Sequence, residues 1–157
     1  ITFLDPGADQ LGAGYQIAQS KIALGSGGIF GKGFLMGSQS QLNYLPEKQT
    51  DFVFTMIGEE FGFVGNISIL LTYFIILTSI ILIALRCQSR FARLSCIGVS
   101  MMIFLYMFIN VAMVTGLIPV VGIPLPLISY GGTTMLVTLF GFGIINACRA
   151  HTRLFDS

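Results

Sequence analysis

Three long apolar runs and the polar segments between them dominate the pattern of this chain. The runs cover residues 61–85, 94–118 and 132–148, and none of them contains Asp, Glu, Lys or Arg. A helix needs about 20 apolar residues to span the hydrocarbon of a bilayer, and the third run reaches that length if residues 128–131 extend it. Because backbone groups in lipid must be hydrogen-bonded within their own segment, the pattern predicts three transmembrane helices.

Residues 1–60 have a different pattern, in which apolar side chains are interleaved with Gly, Ser and Gln. Residues 15–24 predict one short amphipathic helix on the membrane surface, and the glycines between residues 25 and 37 would end it. Helical spacing resumes after Thr50, so Asp51 is expected at or near a helix start. The predicted fold class is an all-α polytopic membrane protein, with three transmembrane helices and a large loop that carries short surface helices.

Composition and charge agree with a membrane location and give an orientation. Hydrophobic residues make up 54% of the chain and charged residues 10%, and the formal net charge is +1, without the clustered Lys and Arg that nucleic-acid binding requires. Arginines lie in the connection 86–93 and in the tail 149–157. Because positive residues in short connections stay in the cytoplasm, the loop 1–60 and the connection 119–131 are predicted to be extracytoplasmic. The chain starts at Ile1 without a signal segment, and we interpret it as a piece of a longer protein.

Two kinds of site are not favoured by the sequence. The three cysteines are an odd number without CxxC spacing, so neither a disulfide framework nor a zinc site is predicted. Residues 26–33 resemble a phosphate-binding P-loop only in part, because its first glycine and the hydroxyl residue after its lysine are both missing. A flexible loop is predicted there, with Lys21 and Lys32 either near anionic lipid head groups or simply solvated.

Residues 45–52, with the sequence LPEKQTDF, are the most chemically suggestive stretch. The side-chain oxygen of Thr50 or Asp51 could cap the following helix, which would explain Asp51 without catalysis. A carboxylate beside an apolar run at a membrane face is also suited to acid–base chemistry, and Glu47 would lie one helical turn before it. The carboxylates at 59–60 lie where the chain enters the first span and are predicted to mark the aqueous boundary.

Residues 122–132 form a second candidate segment. They cannot continue a helix because their prolines lack backbone donors, and their glycines permit close backbone approach. Non-helical backbone at membrane depth is tolerated only where protein buries it or where it lines a cavity. Ser129 and the amides of Gly131 and Gly132 are therefore candidate ligands for a polar head group, while a structural re-entrant turn explains the same pattern.

Taken together, these segments resemble the SEDS family of peptidoglycan polymerases. The resemblance covers nearly the whole chain and rests on LPExxTDF, GEEFG and PxxGxPLPLxSYGG, which begin at Leu45, Gly58 and Pro119. Residues 37–42 are more similar to the cell-elongation branch of the family than to its division branch. The resemblance implies ten helices in the bacterial cytoplasmic membrane, of which the last three are present here, and it implies that residues 1–60 form most of a large extracytoplasmic loop.

The resemblance also implies an activity, a glycosyltransferase that joins lipid II units into glycan strands. Asp51 matches the essential loop aspartate of the family and would act as general base, and Ser129 matches a serine of its substrate cavity. Further candidate substrate-binding residues are Glu47, Lys48, Thr50, Gly131, Lys21 and Lys32, and the three lysines would face the leaving pyrophosphate. Gln49 stands where the family usually has His, so a proton-carrying role at that position is in doubt here.

Partners and alternatives follow from the same comparison. The family implies undecaprenyl-pyrophosphate-linked glycan as the second substrate and a class B penicillin-binding protein as the partner. No cofactor is predicted; a divalent cation would assist the pyrophosphate, although no ligand spacing indicates one. A lipid-precursor flippase is disfavoured because the spans contain no ionisable residues, and a non-catalytic scaffold stays open. The fragment alone is expected to be inactive, since the cavity needs helices outside it.

Overall fold

The computed structural model describes residues 13–33 and 50–155, with side chains described for residues 17–33 and 50–150. Within these ranges the chain forms four helices and no strand: α1 (Ala13–Ser26), α2 (Val53–Arg86), α3 (Arg90–Val114) and α4 (Gly132–Phe155). Three helices are long and apolar enough to cross a membrane, at Val53–Arg86, Arg90–Val114 and Gly132–Ala150. The predicted all-α membrane fold class is therefore confirmed.

The long helices bury a narrow core and leave their outer faces apolar. Helix α2 makes its most extensive helix contacts with α3, and α3 also packs against α4. The core residues include Tyr73, Ile80, Ala84, Cys96, Ile103 and Ile145. Phe74 of α2 and Phe140 of α4 are 63% and 73% exposed. Such a surface is unfavourable in water and suits a lipid environment, because lipid chains are as apolar as these side chains.

Helix α1 packs against the rest of the fold. The predicted helix over residues 15–24 lies within it, and its buried face contains Ser20 and Ala23. The Ser20 hydroxyl donates to the carbonyl of Val114 at a distance of 2.9 Å, at the end of α3. A helix C-terminus leaves carbonyls without intrahelical partners, so this bond satisfies one of them and ties α1 to α3.

Helix α2 is broken at Gly62, whose backbone has φ 69° and ψ −159°. This conformation is essentially restricted to glycine, because a side chain would clash with the neighbouring backbone. In an unbroken helix the N–H groups of Phe63 and Val64 would donate to the carbonyls of Glu59 and Glu60. The break therefore separates four backbone groups that must find other partners.

The segment after α1 supplies those partners. Four hydrogen bonds join it to the break, from Lys32 N to Glu59 O (3.0 Å), Gly33 N to Glu60 O (3.1 Å), Phe63 N to Gly28 O (3.0 Å) and Val64 N to Ile29 O (3.2 Å). We call residues 27–33 the clip. Its glycines allow the two backbones to touch, since a Cβ atom at Gly31 would overlap the Glu60 carbonyl. The clip is thus paired backbone rather than the flexible loop predicted from its composition.

Candidate functional site

Asp51 lies immediately before α2, beside the irregular segment that connects α3 to α4. The N-cap of α2 is Phe52, which is fully buried, and Asp51 itself is half-buried. A Cβ atom built on Gly122 would lie 3.2 Å from Oδ2 of Asp51. Asp51 of the first candidate segment therefore meets Gly122 of the second at its carboxylate.

Asn110 joins these two segments. Its side chain lies in the last part of α3 and is fully buried. Its Nδ2 atom donates to the carbonyl of Asp51 at 2.9 Å and to the carbonyl of Ile123 at 2.7 Å. One amide group therefore links α3 to Asp51, two residues before α2, and to Ile123, the residue after Gly122. A single Asn in an apolar span does not reveal its partners, so the sequence alone indicates no more than an interhelical hydrogen bond at Asn110.

The irregular segment is held by further hydrogen bonds. The Ser129 hydroxyl oxygen accepts from the Leu125 N–H at 2.8 Å, and the Ser129 N–H donates to the Leu125 carbonyl at 3.0 Å. The buried hydroxyl of Tyr73 in α2 donates to the carbonyl of Pro126. Leu127 has a φ of 68°, which is uncommon for a residue with a branched side chain. These contacts give the segment a defined turn without helix or strand.

The hydrogen bonds of Ser129 bear on its predicted role in substrate binding. One lone pair of its oxygen already supports the turn, and its O–H can still donate to a substrate. Gly131 is half-buried next to it, and its carbonyl accepts from the N–H of Met135 at 3.0 Å in the first turn of α4. Both predicted residues therefore lie in the turn that leads into α4.

The lysines of the described region are engaged within the fold. Lys32 Nζ forms an ion pair with Oε1 of Glu59 at 2.9 Å, and the Glu59 side chain is fully buried. Lys21 packs over Gly116, beyond the C-terminus of α3, where a positive charge is favourable to the helix dipole. Glu59 was predicted to mark an aqueous boundary, and the structure instead buries it against the clip.

The remaining predicted site residues differ in what the structure describes. Thr50 precedes Asp51 and is half-buried. Glu47, Lys48 and the departure at Gln49 lie outside the described residues. Within residues 13–33 and 50–155, no group of three or more His, Cys, Asp or Glu side chains is placed to hold a metal ion.

A small cleft opens between α3 and α4, with a volume of about 110 Å³. It is lined by Met102, Tyr106, Pro126, Thr133, Thr134, Val137 and Thr138. The Thr138 hydroxyl is buried and donates to the carbonyl of Thr134 at 2.7 Å. Sequence reasoning missed this cluster of hydroxyl groups, because Tyr106 of α3 lies far in the sequence from the threonines at the start of α4.

The similarity of this chain to known proteins extends over nearly its whole length. The profile of the FtsW/RodA/SpoVE family, described as cell cycle proteins, matches residues 1–154. The chain is 49% identical over 156 residues to peptidoglycan glycosyltransferase MrdB of Escherichia coli K12, covering 99% of this chain and 42% of MrdB. It is 45% identical over 152 residues to a probable peptidoglycan glycosyltransferase FtsW of Trichlorobacter lovleyi, covering 97% of this chain and 40% of that protein.

A solved structure has a similar fold. It is a chain from work on the structural coordination of polymerization and crosslinking by a peptidoglycan synthase complex. The TM-score is 0.73 at 29% sequence identity, and the match covers 96% of this chain and 40% of that chain. This chain therefore spans about two fifths of the length of the relatives it matches.

Proposed function

Because this chain belongs to the FtsW/RodA/SpoVE family of cell cycle proteins, we propose that the whole protein is a peptidoglycan glycosyltransferase that polymerises lipid II. The activity is supported by its similarity to MrdB, which bears that name. The pattern of residues 37–42 favours a role in cell elongation and cell shape over one in division. This chain supplies the C-terminal spans and most of the extracytoplasmic loop.

The proposed reaction uses Asp51 as general base. Its carboxylate takes the proton from the 4-hydroxyl of the acceptor sugar as that oxygen attacks the anomeric carbon of the lipid-linked donor. The bond from that carbon to the pyrophosphate breaks, and undecaprenyl pyrophosphate leaves with the electron pair. A general base must be within hydrogen-bond reach of the proton it removes, so its placement matters as much as its basicity.

The observation that carries this proposal is the contact between Asp51 and Gly122. Gly122 carries no side chain, and an added Cβ atom would lie 3.2 Å from Oδ2, so this glycine lets the irregular segment pack closely beside the carboxylate. Ser129 and Gly131 lie later in the same segment, where the Ser129 O–H is suited to bind a polar group of the substrate. Positive charge for the pyrophosphate is assigned mainly to Lys48 and to helices outside this chain, because Lys32 is paired with Glu59 and Lys21 packs at the α3 terminus.

The proposed setting follows from the arginine positions. The connection between α2 and α3 and the end of α4 face the cytoplasm, and Asp51 and the segment 119–131 face outward in the cytoplasmic membrane. A class B penicillin-binding protein, which cross-links the strands, is the proposed partner. Its support is the similarity of this chain to one from a peptidoglycan synthase complex.

The decisive experiment is polymerisation of lipid II by the reconstituted full-length protein carrying Asp51→Asn. Loss of a general base lowers the rate by about 10²–10⁴-fold. Glu60→Gln is the matched control, because Glu60 is also a half-buried carboxylate and lies nine residues after Asp51 in the chain, and it should retain the wild-type rate. Wild-type polymerisation by Asp51→Asn would rule out the assignment. Translocation of a fluorescent lipid, measured in parallel, separates a flippase from a polymerase.

A further inference from the structure

We infer that Asn110 is a positioning residue that holds Asp51 against Gly122. The inference rests on the proposed function, since it concerns how the proposed base is placed. Asn110 lies 59 residues after Asp51 and 13 residues before Ile123, the neighbour of Gly122. Its role would therefore be to hold the segment that carries Asp51 and the segment that carries Gly122 in a fixed position relative to each other.

The orientation of the Asn110 amide is determined by its neighbours. Both groups in contact with it are backbone carbonyl oxygens, which only accept hydrogen bonds. The NH₂ end must therefore face them, and its two N–H groups match the two acceptors one to one. A carboxylate, a hydroxyl or an apolar side chain at this position could not provide both bonds. Both bonds need a side chain with two N–H donors at this reach, and the Asn110 amide supplies them.

These two bonds act on the residues that set the position of the carboxylate. One holds the carbonyl of Asp51 itself, and the other holds Ile123, the neighbour of Gly122 in the chain. The separation between Oδ2 and Gly122 is therefore controlled from both sides by a single side chain. Asn110 is fully buried, so water does not compete for its N–H groups and the bonds persist.

Placement of this kind has a large effect on rate. A misplacement of about 1 Å at a reacting group can lower a rate by about 10²-fold, although binding is almost unchanged. Loss of Asn110 should thus lower kcat for lipid II polymerisation with little change in KM. A residue that only stabilises the fold would instead reduce the amount of folded enzyme, and each remaining molecule would work at the normal rate.

The test uses Asn110→Leu in the full-length protein, because Leu fills a similar volume and removes both donors. We expect kcat of the folded enzyme to fall by about 10–10²-fold and KM to change less than about threefold. The thermal midpoint should fall by only a few degrees, because two carbonyls lose their donors. Ser100→Ala is the matched control: Ser100 is also a buried polar residue of α3, but it lies ten residues, about 15 Å, from Asn110 along the helix, so kcat should stay within about twofold.

Wild-type kcat in folded Asn110→Leu would overturn the inference, and so would a loss of activity matched by an equal loss of folded protein. If Asn110→Leu does not fold, Gly122→Ala tests the same geometry from the other side, because its Cβ would press on Oδ2. Wild-type kcat in that variant would also overturn it. Activity retained by Asp51→Asn identifies failure of the proposed function itself, whereas inactive Asp51→Asn beside fully active Asn110→Leu identifies failure of the positioning role alone.

Discussion

The break in α2 gives the sharpest prediction about the fold, tested by Gly62→Ala. The backbone of Gly62 has φ 69° and ψ −159°, a region that alanine avoids. A Cβ atom at this position would also lie 2.6 Å from the carbonyl oxygen of Ile29 and overlap Gly31 N, both in the clip. Alanine must therefore either strain the break or push the clip away.

The size of the effect follows from these two contributions. Backbone strain of this kind costs about 1–3 kcal/mol. Displacement of the clip weakens four backbone hydrogen bonds, each worth about 0.5–1.5 kcal/mol net. The folded protein cannot avoid both costs, so we expect Gly62→Ala to lower the free energy of unfolding by roughly 3 kcal/mol. Because Asp51 lies at the start of the same helix, polymerase activity should fall with it.

The assay is denaturant unfolding of the full-length protein in mixed micelles, compared with Gly98→Ala and Gly143→Ala. Both control glycines lie inside helices with nothing within 4 Å of an added Cβ atom, so alanine should be neutral or stabilising by up to about 1 kcal/mol. Gly62→Ala with stability equal to these controls would refute the reasoning, because it would mean that neither the break nor the clip constrains residue 62.

Three further predictions concern individual contacts. Lys32→Met should lower the unfolding free energy by roughly 1–3 kcal/mol, because it leaves the buried Glu59 carboxylate without its lysine, and adding Glu59→Gln should restore part of that loss. Tyr73→Phe removes the donor to a buried carbonyl and should cost about 1 kcal/mol in the same assay; an unchanged stability would contradict that bond. Ser129→Ala leaves the Leu125 N–H without its side-chain acceptor and should cost about 1 kcal/mol, with an additional rise in KM for lipid II only if Ser129 binds substrate.

Much of the architecture could be predicted because the relevant signals are local. The apolar runs were long enough to require spanning helices. Helix α1 includes residues 15–24 because apolar residues recur there at helical spacing, at Tyr15, Ala18 and Ile22, before a run of glycines. The site was predictable in part. Asp51 and Ser129 stood out through their motifs, whereas Asn110 looked like one of several polar residues in the spans. Its two partners lie far away in the sequence, and no local pattern encodes them.

By itself, the sequence determined the membrane environment, the helical class and the candidate base, because hydropathy, span length and motif spacing are properties of the chain before it folds. The tertiary structure decided how these pieces act together. It broke α2 at Gly62 and converted a glycine-rich segment into the clip that pairs the separated backbone groups. It also brought Asp51 to Gly122 through Asn110. Both results depend on backbone groups that every residue carries, so only the packed chain determines which of them meet.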